Sequence, residues 1–343
     1  MRKYLNTIYI TTPGSYLHKE GETVVVEKQD KTKVQFPLLA VSSIVCFGNT
    51  IITPHLMGYC SEKSVAITYL NDNGKFLASV RGEVCGNVLL RREQYRLADN
   101  SGYCTKIASE ILMAKINNSR TVLSRVVRDH SDKINADKVG RAINELSISI
   151  KRLKNKMSEA EIRGIEGDAA KTYFSVFNEA IISQKDEFVF NGRNRRPPLD
   201  NVNCLLSFVY TLIMHDCRSA LETVGLDPYV GFLHKDRPGR PGLALDLMEE
   251  FRSFLGDRVA LNLINREQVK GNGFEKMENG AVLMTDKTRK ELIIEYQKRK
   301  QEEITHLYLN EKMPIGLIFF YQALLFARCI RGEIDGYPAY VWR

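Results

Sequence analysis

Gly231-Phe232-Leu233-His234-Lys235-Asp236-Arg237-Pro238-Gly239-Arg240-Pro241-Gly242-Leu243-Ala244-Leu245-Asp246-Leu247-Met248-Glu249-Glu250-Phe251-Arg252 is where the chain concentrates its chemistry. A histidine is followed by a loop with three basic side chains and two Pro-Gly pairs, and then by an apolar run interrupted only by Asp246, Glu249 and Glu250. The run predicts a helix: Pro241 suits its first position, and Leu243, Leu245, Leu247, Met248 and Phe251 supply buried contacts. Asp246 lies three residues before Glu249 and four before Glu250, so each pair shares one side of that helix. Like charges so placed cost stability unless a cation sits between them, and a nearby imidazole is the natural third ligand. The same residues also admit a plainer reading, in which the histidine is structural and the acids form a solvated face.

The chain can carry such a helix in a sizeable core. It has 343 residues, 44% of them hydrophobic, enough for two domains and incompatible with disorder throughout. Lys+Arg 49 against Asp+Glu 41 gives a net charge of +8, which favours polyanionic partners without proving them. Seven scattered cysteines with no CxxC spacing exclude a zinc knuckle and suit reduced thiols, so a cytoplasmic location is expected. Met1-Arg2-Lys3-Tyr4-Leu5-Asn6 enters an alternating pattern directly, without the apolar core of a signal peptide. Met313 to Ile330 contains Gln322 and Arg328 and reads as a buried helix rather than a membrane span.

Towards the N-terminus the texture is strand-like. Asn6 to Thr12, Tyr16 to His18, Thr23 to Glu27, Lys33 to Phe36, Val41 to Phe47 and Ser64 to Leu70 are separated by turn chemistry at Pro13-Gly14, Glu20-Gly21-Glu22 and Asn71-Asp72-Asn73-Gly74. A short helix is expected from Pro54 to Lys63. A small, mostly antiparallel sheet has few ways to bury both faces, so one face or edge is expected to serve self-association. After Gly86 the pattern turns helical: Val88 to Leu97, Tyr103 to Ile116, Arg120 to Arg128, Ala136 to Met157, Ser158 to Ser183 and Asn201 to Val224. Phe274 to Met284 reads as a hairpin and Thr285 to Glu303 as a charged helix. The fold class is therefore α+β, a small N-terminal β-rich domain (1–84) followed by a larger all-α domain (85–343).

Two further features lie in the helical part. Gly164 and Gly167 flank Glu166 inside a helix, where each glycine costs about 1 kcal/mol relative to alanine, so backbone or ligand is expected to approach closely there. Tyr173, on a similar face, either fills the core or hydrogen-bonds a substrate. The loop Arg193-Asn194-Arg195-Arg196-Pro197-Pro198 offers forked donors for phosphate, or is a surface hinge.

Four ordered blocks carry a resemblance. Gly164-Ile165-Glu166-Gly167-Asp168-Ala169-Ala170, Arg195-Arg196-Pro197-Pro198-Leu199-Asp200, Gly225-Leu226-Asp227-Pro228-Tyr229-Val230-Gly231-Phe232-Leu233-His234 and Leu245-Asp246-Leu247-Met248-Glu249-Glu250-Phe251-Arg252 resemble the signature of the CRISPR-associated integrase of spacer acquisition, the family here called Cas one. Leu5 to Pro13, Val45 to Gly48, Gly82 to Arg91 and Gly332 to Trp342 are similar to its subtype I-C branch, so the resemblance covers nearly the whole chain. It implies an N-terminal dimerisation domain and a catalytic domain with one divalent metal, Mg2+ or Mn2+, held by Glu166, His234 and Glu249, with Asp246 a further catalytic acid. It also implies a metal-dependent endonuclease and integrase that joins 3′-hydroxyl ends of short DNA to the border of a CRISPR repeat. The partners implied are DNA, a second copy of the chain, and the small second adaptation protein, Cas two, in a heterohexamer. Arg193, Arg195, Arg196, Lys235, Arg237, Arg240, Arg252 and Tyr173 are candidates for contacting DNA, although Arg252 suits pairing with a site carboxylate as well. Two alternatives stay open: a stand-alone metal-dependent nuclease on branched or single-stranded DNA, and a non-catalytic basic DNA-binding scaffold.

Overall fold

The computed structural model describes residues 6–63, 65–71, 76–80, 82 and 87–343. The expected boundary between residues 84 and 85, most of the Asn71-Asp72-Asn73-Gly74 turn, Cys85 and the first five residues lie outside that set. The chain divides into two compact units: Met1–Gly86 with Lys300–Ile304 and Met313–Ile318, and Asn87–Arg299 with Thr305–Lys312 and Phe319–Arg343.

The first unit holds β1 (Asn6–Ile10), β2 (Tyr16–Glu20), β3 (Thr23–Glu27), β4 (Lys33–Pro37), β5 (Val41–Phe47), β6 (Ile51–Ile52), α1 (Pro54–Glu62), β7 (Ala66–Leu70) and β8 (Phe76–Val80). They form two four-stranded sheets, ordered β1-β5-β7-β8 and β4-β3-β2-β6. The expectation of a mostly antiparallel sheet is corrected here. β1 pairs β5 in parallel and β5 pairs β7 in parallel. The β2-β3-β4 meander intervenes in one case and α1 in the other, long enough crossovers for parallel pairing, whereas tight turns keep the meander itself antiparallel. β8 had no sequence signal of its own; its residues are mostly exposed. Leu17, Val24, Ile44, Leu56 and Ile67 are fully buried in one cluster between the sheets and α1. The Thr53 side chain caps α1 by accepting the Leu56 N–H, and Pro54 opens the helix.

The second unit is built on α2 (Val88–Ala98), α3 (Ser101–His130), α4 (Ala136–Arg152), α5 (Glu159–Ser175), α6 (Asn201–Thr223), α7 (Gly242–Glu249) and α8 (Arg258–Asn265). A short ladder of β9 (Phe274–Lys276) with β10 (Val282–Met284) follows, so the larger region is helical rather than strictly all-α, within an α+β fold. After it come α9 (Asp286–Gln301), β11 (Glu303–His306), β12 (Glu311–Pro314) and α10 (Ile315–Ile330).

α3 runs unbroken for 30 residues through the expected gap at Asn117 to Ser119. The polar residue that reads as a break is an interior fastener. Asn118 is fully buried, donates to the Glu250 and Tyr340 carbonyls, and accepts the Trp342 N–H. Every polar group of its amide is thereby satisfied, which removes the cost of burying it. α5 starts with a capping box in which Ser158 and Glu161 satisfy each other's backbone N–H groups. Past α7 the chain passes through one π-helical turn, Arg252–Asp257, and α3, α5, α7 and this turn pack together to carry the residues described next.

Candidate active site

The loop before α7 is folded back on the helix start by two glycines. A side chain at Gly231 would come within 2.7 Å of the Gly242 backbone and 2.8 Å of the His234 carbonyl, and one at Gly242 within 2.7 Å of the Tyr229 carbonyl. This contact places Asp246, fully buried on α7, under the loop. Its Oδ2 accepts the N–H groups of Phe232 (2.6 Å) and Leu233 (3.0 Å), and its Oδ1 accepts that of His234 (2.9 Å). The same Oδ1 lies 2.7 Å from His234 Nδ1. This contact fixes the ring by its Nδ1 edge and turns Nε2 away from Asp246. Nε2 stands 4.0 Å from Glu249 Oε1, one turn along α7.

Glu249 is the centre of the arrangement. It is 2% exposed, with Arg252 Nη2 3.0 Å from its Oε1 and Lys115 Nζ 2.9 Å from its Oε2. Lys115, on α3, also reaches Glu166 Oε1 on α5 at 2.8 Å, so one ammonium bridges the two carboxylates. Burial by itself raises the Glu249 pKa, but Arg252, Lys115 and His234 outweigh it and hold the carboxyl down at about 2. Burial likewise opposes the Lys115 charge, yet Glu249 and Glu166 prevail and raise its pKa. The pair expected on α7 is separated instead: Asp246 takes the loop N–H groups, while Lys115 and Arg252 oppose the charge of Glu249. Glu250 does not join them: it faces the other way, accepting from the Tyr337 hydroxyl, Gln322 Nε2 and the Tyr340 N–H.

Glu166, Glu249, His234, Lys115 and Arg252 line a cleft of about 470 Å³. Asp257, on the π-helical turn, forms part of its wall and is 1% exposed. It accepts the hydroxyls of Tyr210 (2.5 Å) and Tyr173 (2.8 Å). Burial raises its pKa to about 6 against these donors. Tyr173 lines the cleft, but its hydroxyl is committed to Asp257, which corrects the expectation of a free DNA contact. A Cβ placed on Gly164 or Gly167 would meet nothing within 4 Å beyond its own helix, so the expected close approach of protein backbone is absent and that face of α5 is open.

The basic candidates divide. Arg193 lines the cleft but is held by the protein: it donates to the Asn194 carbonyl, to Asn203 Oδ1 and to Ser207 Oγ, with its guanidinium 5.3 Å from the Tyr210 ring centre. Arg252 lies 4.9 Å over the same ring and pairs with Glu249, as its second reading expected. Arg195, Lys235 and Arg240 line the cleft, with Lys235 2.5 Å from Glu159. Arg196 and Arg237 are exposed and lie outside its lining. Sequence reasoning missed Lys115, Tyr210 and Asp257. The signal for Lys115 was a lone lysine in the α3 stripe of Ile107, Ala108, Ile111, Leu112 and Ile116, where a charge is rarely buried without a partner.

Two carboxylates, Glu166 and Glu249, and an imidazole whose Nδ1 is fixed by a third carboxylate, Asp246, make a set that suits Mg2+ or Mn2+. Glu249 Oε2 is buried with no aligned hydrogen-bond donor, the Lys115 ammonium meeting it as an ion pair alone. Among the described residues no three acidic, cysteine or histidine side chains already converge as ligands, because Lys115 occupies the space between two of them. The residues therefore fit a cation once that ammonium moves.

The fold and site define a two-part α+β protein with a carboxylate, imidazole and arginine cleft in its helical part. The chain belongs to the family of the CRISPR associated protein Cas1, whose family model matches residues 8–298. It is 53% identical over the full length of both chains to CRISPR-associated endonuclease Cas1 1 of Chlorobaculum tepidum, and 47% identical, again over the full length of both, to CRISPR-associated endonuclease Cas1 2 of Rhodospirillum rubrum. A Cas1 protein from Thermotoga maritima has a similar fold (TM-score 0.79, 22% identity, 95% of this chain and 97% of that one). So does a casposase bound to integration product (TM-score 0.85, 21% identity, 98% and 94%). Among the described residues no helix is long and apolar enough to cross a membrane.

Proposed function

We propose that the chain is a divalent-metal-dependent DNA integrase and endonuclease of CRISPR adaptation, joining 3′-hydroxyl ends of short foreign DNA to the repeat array by transesterification. The observation that carries this reading is that Glu166, His234 and Glu249, from three segments, line one basic cleft, with Asp246 fixing the imidazole. Glu166, His234 and Glu249 are the residues that would hold Mg2+ or Mn2+, which when bound supplies Lewis acidity to the phosphodiester. Asp246 keeps His234 Nε2 directed at Glu249. Arg195, Arg240 and Lys235 hold the DNA backbone in the cleft, and Arg252, clamped between Tyr210 and Glu249, fixes the carboxylate. The family and the names of the relatives support this reading, and the subtype I-C branch is part of it.

Self-association belongs to the N-terminal unit in this proposal, and its exposed Leu39, Ile51 and Leu77 support an apolar contact there. DNA and the small Cas2 protein complete the assembly, a heterohexamer of two dimers about a central one. A solved Cas6-RT-Cas1–Cas2 complex, 36% of whose chain this one matches with TM-score 0.81 at 20% identity, has the same fold over that part.

The test is a strand-transfer assay with a short duplex bearing free 3′-hydroxyls, a supercoiled repeat-bearing plasmid and Mn2+, with DNA binding measured in parallel. Wild type should join the duplex to the plasmid, whereas Glu166→Ala and His234→Ala bind DNA and fail to join it. Variants that join as well as wild type would place the chemistry elsewhere.

A further inference from the structure

Lys115 stands where a lysine is costly. It lies on the inward face of α3, its side chain 19% exposed, and its ammonium pairs with two carboxylates of the site: Glu166 at 2.8 Å and Glu249 at 2.9 Å. The geometry points to Lys115 as a resident counter-cation that holds this carboxylate pair in the metal-free protein, yields the place to a divalent ion, and then turns its charge to a phosphate of the bound DNA. The inference rests on the metal reading above and adds a role for a residue that reading does not use.

Charge balance leads to it. In the metal-free site the carboxylates of Glu166 and Glu249 are cancelled by Lys115 and Arg252. A divalent ion added beside Lys115 and Arg252 crowds positive charge in a half-buried cleft, a costly state unless a cation leaves or an anion arrives. Of the two cations, Arg252 is the fixed one: its guanidinium lies over the Tyr210 ring and pairs with Glu249 Oε1. Lys115 carries a compact point charge on a flexible four-carbon stem, hydrogen-bonded to Glu166 Oε1 and ion-paired with Glu249 Oε2. Its ammonium also lines the cleft in which Arg195 and Arg240 sit, so a phosphodiester there is within the same field. The lysine therefore keeps the ligands together without metal, and its displacement couples metal binding to DNA binding.

The experiment uses the full chain, freed of metal with chelator, and reads Mn2+ binding by calorimetry and Tm with and without Mn2+. It compares wild type, Lys115→Met, Lys115→Gln and Glu166→Gln. Lys115→Met should bind Mn2+ about tenfold more tightly than wild type, because the competing charge is gone. Its metal-free Tm should fall, and its Mn2+-induced gain in Tm should exceed that of wild type. With Mn2+ saturating, its affinity for a short duplex should be weaker, and the slope of log affinity against log salt should be shallower by about one. Lys115→Gln, which keeps a donor between the carboxylates, carries the same comparison if Lys115→Met does not fold without metal. Mn2+ affinity in both variants equal to or below that of wild type overturns the inference. If wild type takes up no Mn2+, or Glu166→Gln takes it up equally well, the metal reading itself falls, a result distinguishable from the first.

Discussion

His234 Nδ1 stands 2.7 Å from Oδ1 of Asp246, and the same carboxylate accepts the backbone N–H groups of Phe232, Leu233 and His234. One buried acid thus sets both the path of the loop and the direction of the ring it delivers. Asp246→Asn replaces an acceptor-only group with one that has a single acceptor oxygen, so some donors lose their partner. Each should cost about 1–3 kcal/mol in denaturant unfolding. Because the ring orientation is loosened, Mn2+ affinity should fall roughly 10–100-fold in calorimetry. An unchanged Mn2+ affinity would mean that Asp246 serves the loop alone.

The Tyr210 side chain has two separable jobs. Its hydroxyl donates to buried Asp257, and its ring carries the guanidinium of Arg252. Tyr210→Phe removes only the first, and should cost about 1–3 kcal/mol of stability while leaving DNA binding near wild type. Tyr210→Ala removes both, and should also weaken Mn2+-dependent joining because Arg252 loses the surface that aims it at Glu249. Equal joining by the two variants would show that the ring does not position Arg252.

How much of this was legible in the sequence depends on the range of the interaction. Helix-forming runs and turn chemistry are local, so α5, α6, α7 and the β2-β3-β4 meander followed from spacing and caps. The His234 loop and the acids of α7 are within 16 residues of one another and were readable together. Parallel pairing of β1, β5 and β7 was not, because it is settled by what fills the crossovers. The side on which Glu250 falls depends on Gln322, Tyr337 and Tyr340, far along the chain. Lys115 meets Glu166 across 51 residues, and nothing local to α3 names that partner. Gly164 and Gly167 showed the limit of a correct local rule: glycine in a helix is costly, but no protein backbone packs against either one here.

The arginines of the 193–196 loop should separate in a binding experiment. Arg195 is exposed along the cleft, so Arg195→Ala should weaken duplex binding uniformly across sequences and make the salt slope shallower by about one, with Tm unchanged. Arg193 is held by Asn203, Ser207 and the Asn194 carbonyl, and Arg193→Ala should lower Tm because it removes these three bonds. Identical profiles for the two variants would contradict the division between a contact residue and a loop fastener.

Glu250, turned away from the cleft, gives the fold a dependence on pH. Burial raises its carboxyl from the usual 4.5 to about 7, outweighing the donors Tyr337, Tyr340 and Gln322. The native chain therefore holds this proton more tightly than the unfolded chain. Between about pH 4.5 and pH 7 it binds more protons when folded, so stability is greatest below that window and is lost as pH rises through it. Asp257, raised to about 6, acts in the same direction lower in the window, whereas Glu249, held at about 2, has its effect below it. In urea unfolding of the metal-free protein, wild type should lose on the order of 3 kcal/mol from about pH 5 to about pH 8. Glu250→Gln cannot ionise, so its curve should be flatter by most of that amount, leaving the smaller Asp257 contribution. Parallel curves would assign the slope to other groups and would mean that Glu250 is ionised throughout, held by its three donors.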